Sequence, residues 1–372
     1  MKSFFQNIVA LLIISLLLSS CMDDDAIRDF EKLNTHQTSG LFIINEGNFT
    51  YSNASLSYYN PQSKTVLNNI FYKTNALPLG DIAQSMCIHD SLAYIVINNS
   101  GKIFIINKNT FKYVAKITGL SSPRYIHFVN DNKAYVSDLY SKSITIVDPS
   151  SNAITGSIDL NNHRADFEQH NSEQMIAYQN KVYVSCWSYD NKILVINSDS
   201  DTVEDSITVG KQPNSIVLDK NNRLWVLSDG GFSGSSYEQE KASLCQIDLS
   251  NHTILKRFEF DNIDASPSHL QTNGAKDSLF FIYGNWGTSL PNAGVFCMSI
   301  NASDLPESPL IPQTTGIFYS LAVDKRQSNI YISNAKDYAQ NGEIYRFTNT
   351  GFALDTFKVG INPGQFCFDY EP

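Results

Sequence analysis

Ala134-Tyr135-Val136-Ser137-Asp138, then four residues on Ser143-Ile144-Thr145-Ile146-Val147-Asp148, is the stretch on which the fold turns. Each half alternates or runs apolar over five or six residues, is rich in β-branched and aromatic side chains, and ends on a turn-forming Asp, which is the pattern of a strand pair. Its core, a small or aliphatic residue, an aromatic, then Ile or Val, recurs along the chain. The other copies are Leu41-Phe42-Ile43, Ala93-Tyr94-Ile95, Val182-Tyr183-Val184, Leu224-Trp225-Val226, Phe280-Phe281-Ile282 and Ile330-Tyr331-Ile332. The seven aromatics are spaced by 52, 41, 48, 42, 56 and 50 residues, a period that belongs to repeat architectures.

Around each copy the same order returns. A second apolar run follows, as in Ile103–Asn107 or Ile193–Asn197, then a third, as in Ser206–Gly210, then a re-entry marked by Pro123, Pro213, Pro267 or Pro363 that opens a fourth. Four short runs per repeat predict a four-stranded antiparallel blade, and no segment sustains a helical period. The ends fix the architecture. The first copy lacks its leading run, and the last is followed by an orphan one, Gly364-Gln365-Phe366-Cys367-Phe368-Asp369. The C-terminal strand is therefore expected to complete the N-terminal blade and leave no raw sheet edge at the join. The prediction is an all-β, seven-bladed β-propeller with blades at 40–74 plus 362–370, 82–120, 123–160, 172–209, 213–260, 266–316 and 318–360. Blade six is the least regular.

Composition agrees with such a body. The chain has 372 residues, 42% hydrophobic and 12% aromatic but only 17% charged, which excludes a disordered or coiled-coil chain. With 37 acidic against 27 basic residues and a net charge of -10, a nucleic-acid partner is not expected.

The domain layout begins before the propeller. Lys2 and the apolar run Ile8–Leu18 form a signal peptide over residues 1–20, too short to span a bilayer comfortably, ending Leu18-Ser19-Ser20-Cys21. Small residues before a Cys match a bacterial lipoprotein box, making Cys21 the expected lipidation site and a lipid anchor the only membrane attachment. Residues 21–39, with Asp23-Asp24-Asp25, read as an acidic tether, and 40–372 as the propeller. The remaining Cys87, Cys186, Cys245, Cys297 and Cys367 are odd in number and lack metal-type spacing, so buried free thiols are expected.

In this architecture the first strand of each blade lines the axis. The loops joining strands two and three share one face with the blade-to-blade loops. The opposite face carries short Asn/Asp turns such as Asp131-Asn132 and Asn221-Asn222. The first face carries longer loops with Phe49, Tyr51, Tyr140, Trp187, Tyr189, Phe232, Tyr237, Trp286, Tyr319 and Tyr338 among Asn, Ser and Gly, a composition suited to ligand binding. About half of these rings are expected simply to cap blade tops. Ser85, Tyr125, Gln174, Ser215, His269, Ser320 and Gln365, one from each first strand, are expected to ring the channel mouth, with Arg124 the one fixed positive charge there. A merely solvated channel fits that ring equally.

No GxSxG, HExxH or phosphate-binding glycine loop is present, and no cofactor is expected. His163, Asp166, Glu168 and His170 share a loop, but their spacing fits no standard metal site. Glu46 and Asp81 lie near the same face without a defined pairing.

The G-x-x-P re-entries Gly210–Pro213 and Gly360–Pro363 resemble YncE-like, YVTN-type seven-bladed propellers over residues 40–372. Three features together are similar to Bacteroidota surface lipoproteins, including the cobalamin-binding propeller family (BtuG type). They are the lipobox with Asp23-Asp24-Asp25, the opening Phe42-Ile43-Ile44-Asn45-Glu46-Gly47-Asn48-Phe49, and Leu79-Gly80-Asp81-Ile82-Ala83-Gln84-Ser85-Met86. That resemblance implies a cell-surface, outer-membrane lipoprotein that captures vitamin B12 or another corrinoid and passes it to a TonB-dependent transporter. It implies a binding module rather than an enzyme. No ligand residue is carried over from the family. The alternatives are a propeller for another ligand, a cap on a protein partner, and an extracellular lyase or hydrolase.

Overall fold

A repeated aromatic between two aliphatics has a physical use in this chain: it fills the wedge between adjacent sheets. In the computed structural model, which describes residues 40–163, 169–285 and 290–370, Phe42, Tyr94, Tyr135, Tyr183, Trp225, Phe281 and Tyr331 are all buried. Each stands on the second strand of a four-stranded antiparallel sheet, and the described residues form seven such sheets. Tyr135 packs on Val182, Val184 and Leu194 of the following blade. Tyr183 packs on Ile216 and Val226, Trp225 on Leu270 and Phe281, and Tyr331 on Leu41, Ile43 and Phe366. Burying one such side chain stabilises by roughly 1.5–3 kcal/mol. Tyr and Trp also carry a polar tip that finds a partner at the blade rim. The Tyr135 hydroxyl donates to Asp201 of the next blade, and Trp225 Nε1 donates to Asp219 Oδ2 at 2.9 Å.

The ring closes as the termini of the repeat foretell. The innermost strand of the first blade is Pro363–Asp369, hydrogen-bonded to Gly40–Asn45. Phe42 opposes Cys367 and Ile44 opposes Gln365, with a bulge between Ile44 and Asn45. All seven blade boundaries match those expected to within a few residues. One element was not anticipated: a six-residue helix, Ile70–Asn75. It buries Ile70 and Phe71, and the Phe71 ring lies 4.9 Å from Phe104. Blade six is irregular because its outer strand shrinks to Ile311–Pro312. The five cysteines are free, but only Cys186 and Cys245 are fully buried; Cys87, Cys297 and Cys367 are half-buried.

The innermost strands of neighbouring blades diverge and are not ladder partners. Their buried amides and carbonyls still need partners, and the polar residues expected to ring the channel supply them. Gln365 Oε1 accepts from the Met86 amide at 2.6 Å, and Ser85 Oγ donates to the Arg124 carbonyl at 2.6 Å. Gln174 Oε1 accepts from Ile216 at 3.1 Å, and Ser215 Oγ from Leu270 at 3.0 Å. These bonds run from one blade to the next and hold the axial wall in place.

Candidate functional site

A cavity of about 430 Å³ lies on the axis. Among the expected residues, Arg124, Tyr125, Gln174, Trp187, His269, Ser320, Tyr319 and Gln365 line it. Ser85 and Ser215 are buried in the inter-blade bonds described above and are not among its lining residues. Tyr319 and Lys325 both line it from one blade, six residues apart along a strand and its exit, so it extends along the channel for roughly 20 Å. Lys325 shares the wall farther along the channel, with burial and the nearby Lys276 pushing its ammonium down to about 8.

The charged centre of the wall is built from three first strands. Arg124 Nε lies 2.7 Å from Glu173 Oε1, and Nη1 donates to Gln84 Oε1 at 2.6 Å. The guanidinium also sits 5.9 Å from the Trp187 ring centroid, within cation–π range. Burial opposes the Arg124 charge, but Glu173 beside it holds the guanidinium pKa above its ordinary value. Glu173 is itself buried, and desolvation raises its carboxyl despite Arg124.

Glu46 faces the same cavity from the turn after the first-blade strand. It accepts a hydrogen bond from the Tyr319 hydroxyl at 2.6 Å. Desolvation pushes its carboxyl up to about 7, partly offset by Tyr319 and Arg124. Its seat depends on Gly364, where a Cβ would stand 2.0 Å from Glu46 Oε1. Asp229 is a third wall carboxyl, raised to about 6 by burial while Trp187 Nε1 donates to it at 2.9 Å. His269 is kept neutral by burial, with a pKa near 4, and has a backbone φ of +57°. The wall therefore offers acids that can exchange a proton near neutral pH, a neutral imidazole and an oriented guanidinium.

The aromatic residues divide into groups. Phe49, Tyr51, Tyr140 and Phe232 are exposed at 66%, 74%, 69% and 52%. Tyr189 and Tyr237 pair at 4.5 Å and line a separate pocket of about 150 Å³ with Asp190, Lys211 and Gln212. Tyr338 packs edge-on to Tyr319 at 5.8 Å. Trp286 and Cys21 lie outside the described residues, as do Asp166 and Glu168. Asp81 does not join Glu46 in the cavity: its Oδ2 accepts from the Thr50 amide at 2.9 Å and from Asn99 Nδ2 at 2.5 Å, anchoring the first-blade loop.

Sequence reasoning left Gln84, Glu173, Asp229 and Lys325 out of the site. The available signal was a Gln or Glu just before two of the seven ring residues, Gln84-Ser85 and Glu173-Gln174, at the head of a first strand. Strand alternation assigns such a residue to the opposite face, but bulges at Ala83/Ser85 and Ser172/Met175 shift the register there and bring Gln84, and both Glu173 and Gln174, to the wall.

The Glu46 carboxyl gives a pH-dependence with a definite sign. Between about pH 4.5 and 7 the folded protein keeps a proton that the unfolded chain releases, so stability is lost as pH rises through that window. The Glu46→Gln variant removes this loss. Its stability relative to wild type should rise from pH 4.5 to pH 8 by up to roughly 3 kcal/mol. Urea denaturation at both pH values checks this, and a difference independent of pH contradicts it.

Solved structures share the architecture. A quinoprotein alcohol dehydrogenase-like protein from Bacteroides thetaiotaomicron superposes with a TM-score of 0.69 at 14% identity, covering 90% of this chain and 79% of that one. The periplasmic gluconolactonase of Pseudomonas aeruginosa gives 0.65 at 7% identity, covering 90% and 99%. A putative 6-phosphogluconolactonase from Bacteroides fragilis gives 0.62 at 12% identity, also covering 90% and 99%. No curated protein matches the chain. At these identities the likeness shows the fold alone, yet it corrects one expectation. The expectation of a binding module rather than an enzyme does not stand, because propellers named as lactonases share the fold. Residues 39–359 match a domain of unknown function, DUF5074, and the chain belongs to that family of β-propellers.

Proposed function

We propose that the protein is a cell-surface, outer-membrane lipoprotein, anchored through Cys21, that captures a corrinoid on the aromatic face and delivers it to a TonB-dependent transporter. The observation that carries this reading is the set of exposed rings, Phe49, Tyr51, Tyr140 and Phe232, on the loops of one face, around a polar axial cavity. A corrinoid is large, nearly neutral and rimmed with amides. Broad apolar contact with rings, and donors and acceptors such as Gln84, Gln174 and Asn214 at the centre, suit such a ligand. The resemblance of the lipobox and of the 42–49 and 79–86 stretches to corrinoid-binding surface lipoproteins supports the same choice.

A second reading is favoured by Glu46. A carboxyl poised near 7 beside Tyr319 and Arg124 suits general acid–base work, and a sugar lactone is the substrate named for the gluconolactonase-type neighbours. Calorimetry of the protein lacking its signal peptide, with cyanocobalamin, separates the two. Saturable heat, reduced by Tyr51→Ala and Phe232→Ala together, is the expected result. No heat and no thermal shift at excess cyanocobalamin would sink the first reading. Gluconolactone hydrolysis lost in Glu46→Gln would establish the second.

A further inference from the structure

Away from the axis, the blade-four face brings together a different set of groups. His170 precedes the strand Ser172–Tyr178, Cys186 ends the strand Lys181–Cys186, and Asp190 lies in the turn before Lys192–Asn197. Their donor atoms all lie within 4.8 Å of one another. We propose that His170, Cys186 and Asp190 form a zinc-binding site. This is independent of the ligand assigned to the axial cavity.

The donor chemistry selects the ion. One thiolate, one imidazole and one carboxylate suit zinc, whereas calcium and magnesium require oxygen donors throughout. Cys186 is fully buried, which rules it out as a nucleophile toward a bulky substrate but leaves it accessible to an ion seated beside it. The backbone around each donor is held in place. Cys186 pairs with Ser172 on one side and Lys192 on the other. The His170 amide donates to the Leu160 carbonyl at 3.0 Å. The Asp190 carbonyl accepts from Gln212 at 2.7 Å, and its Oδ1 from the Asn191 amide at 2.7 Å. Asp190 also lines the adjoining pocket of about 150 Å³, several times the roughly 30 Å³ a water occupies, so a water can complete a four-coordinate shell.

Without metal, His170 Nδ1 and Asp190 Oδ2 share a hydrogen bond at 2.5 Å. The ion takes the place of that shared proton. The displaced proton leaves to solvent, the metal-bound imidazole carries its proton on Nε2 and offers the Nδ1 lone pair, and the Cys186 thiol likewise loses its proton to solvent as the sulfur–zinc bond forms. No electron transfer is involved. Ligand atoms about 2.0–2.3 Å from zinc lie farther apart than 2.5 Å, so binding turns the imidazole or the carboxylate by a fraction of its width. The sequence hinted at this region through His163, Asp166, Glu168 and His170, but the partners that His170 meets come from the next hairpin.

The test uses the protein without its signal peptide, first loaded with zinc and dialysed, then with cobalt(II) as a spectroscopic substitute. Expected are one retained zinc per chain and a near-ultraviolet sulfur-to-cobalt charge-transfer band that Cys186→Ser abolishes. His170→Gln, a half-buried position, should weaken zinc binding at least about 10-fold, the scale of losing even an outer partner of a metal ligand. It also serves as the second test if Cys186→Ser does not fold. No retained zinc in the wild type, a cobalt spectrum without a thiolate band, or His170→Gln binding zinc as tightly as wild type would each overturn the site.

Discussion

Truncation after Asn362 is expected to abolish cooperative unfolding altogether rather than lower its midpoint. The lost segment contains Pro363–Asp369, the strand that joins the last residues of the chain to Gly40–Asn45. Its removal exposes the Leu41, Ile43 and Tyr331 cluster on which Phe366 packs. It also deletes the Gln365 acceptor of Met86 and the Lys108–Asp369 ion pair at 2.5 Å. Each ladder bond contributes about 0.5–1.5 kcal/mol and a buried Phe roughly 1.5–3 kcal/mol. Summed over six paired positions, the loss is of the order of the roughly 5–15 kcal/mol that holds a whole domain folded. Urea titration followed by circular dichroism, with a dye for exposed apolar surface, reads the outcome. A sigmoidal transition displaced by only a few degrees or a fraction of a molar would contradict closure by this strand.

Arg124→Met is expected to have the second largest effect, on stability and on ligand binding together. The guanidinium is bonded at once to Glu173 and Gln84, under the Trp187 ring. Its loss leaves Glu173 buried without its cation, and breaking a buried pair from one side costs about 3–5 kcal/mol. Adding Glu173→Gln should restore most of that stability, because it removes the stranded charge. It should not restore binding, because the oriented donor is still missing. Tyr140→Ala on the exposed rim serves as the control, with a stability change within about 0.5 kcal/mol. Chemical denaturation and calorimetry of the four proteins would show this pattern. A double variant no more stable than the single one would contradict the assigned ion pair.

The repeat was legible because packing imposes it. Every wedge between blades needs a large side chain at the same place, so Tyr94, Tyr135, Tyr183 and Trp225 recur at matching positions and can be counted from the sequence. Closure was legible from what the two ends lack. The axial site was only partly legible. Tyr125, Gln174, His269 and Gln365 follow from strand position, whereas Glu173 and Gln84, the partners of Arg124, reach the wall only through bulges, which leave no compositional mark. Ser85 and Ser215 illustrate the converse. A small polar residue on a first strand looks like channel lining, yet the divergence of neighbouring strands leaves amides and carbonyls that it must satisfy. His170, Cys186 and Asp190 were separable only in three dimensions, because their convergence depends on how one hairpin folds over the loop before it.

The aromatic face around the axial cavity is where the proposed function puts the ligand. A structure determined in the presence of cyanocobalamin tests it most directly. The corrin ring is expected over the cavity, with Phe49, Tyr51, Tyr140 or Phe232 against its rim and its amides within hydrogen-bond reach of the Arg124 wall. A corrin bound on the blade flanks or on the opposite face, or a cavity mouth left open at saturating ligand, would contradict it.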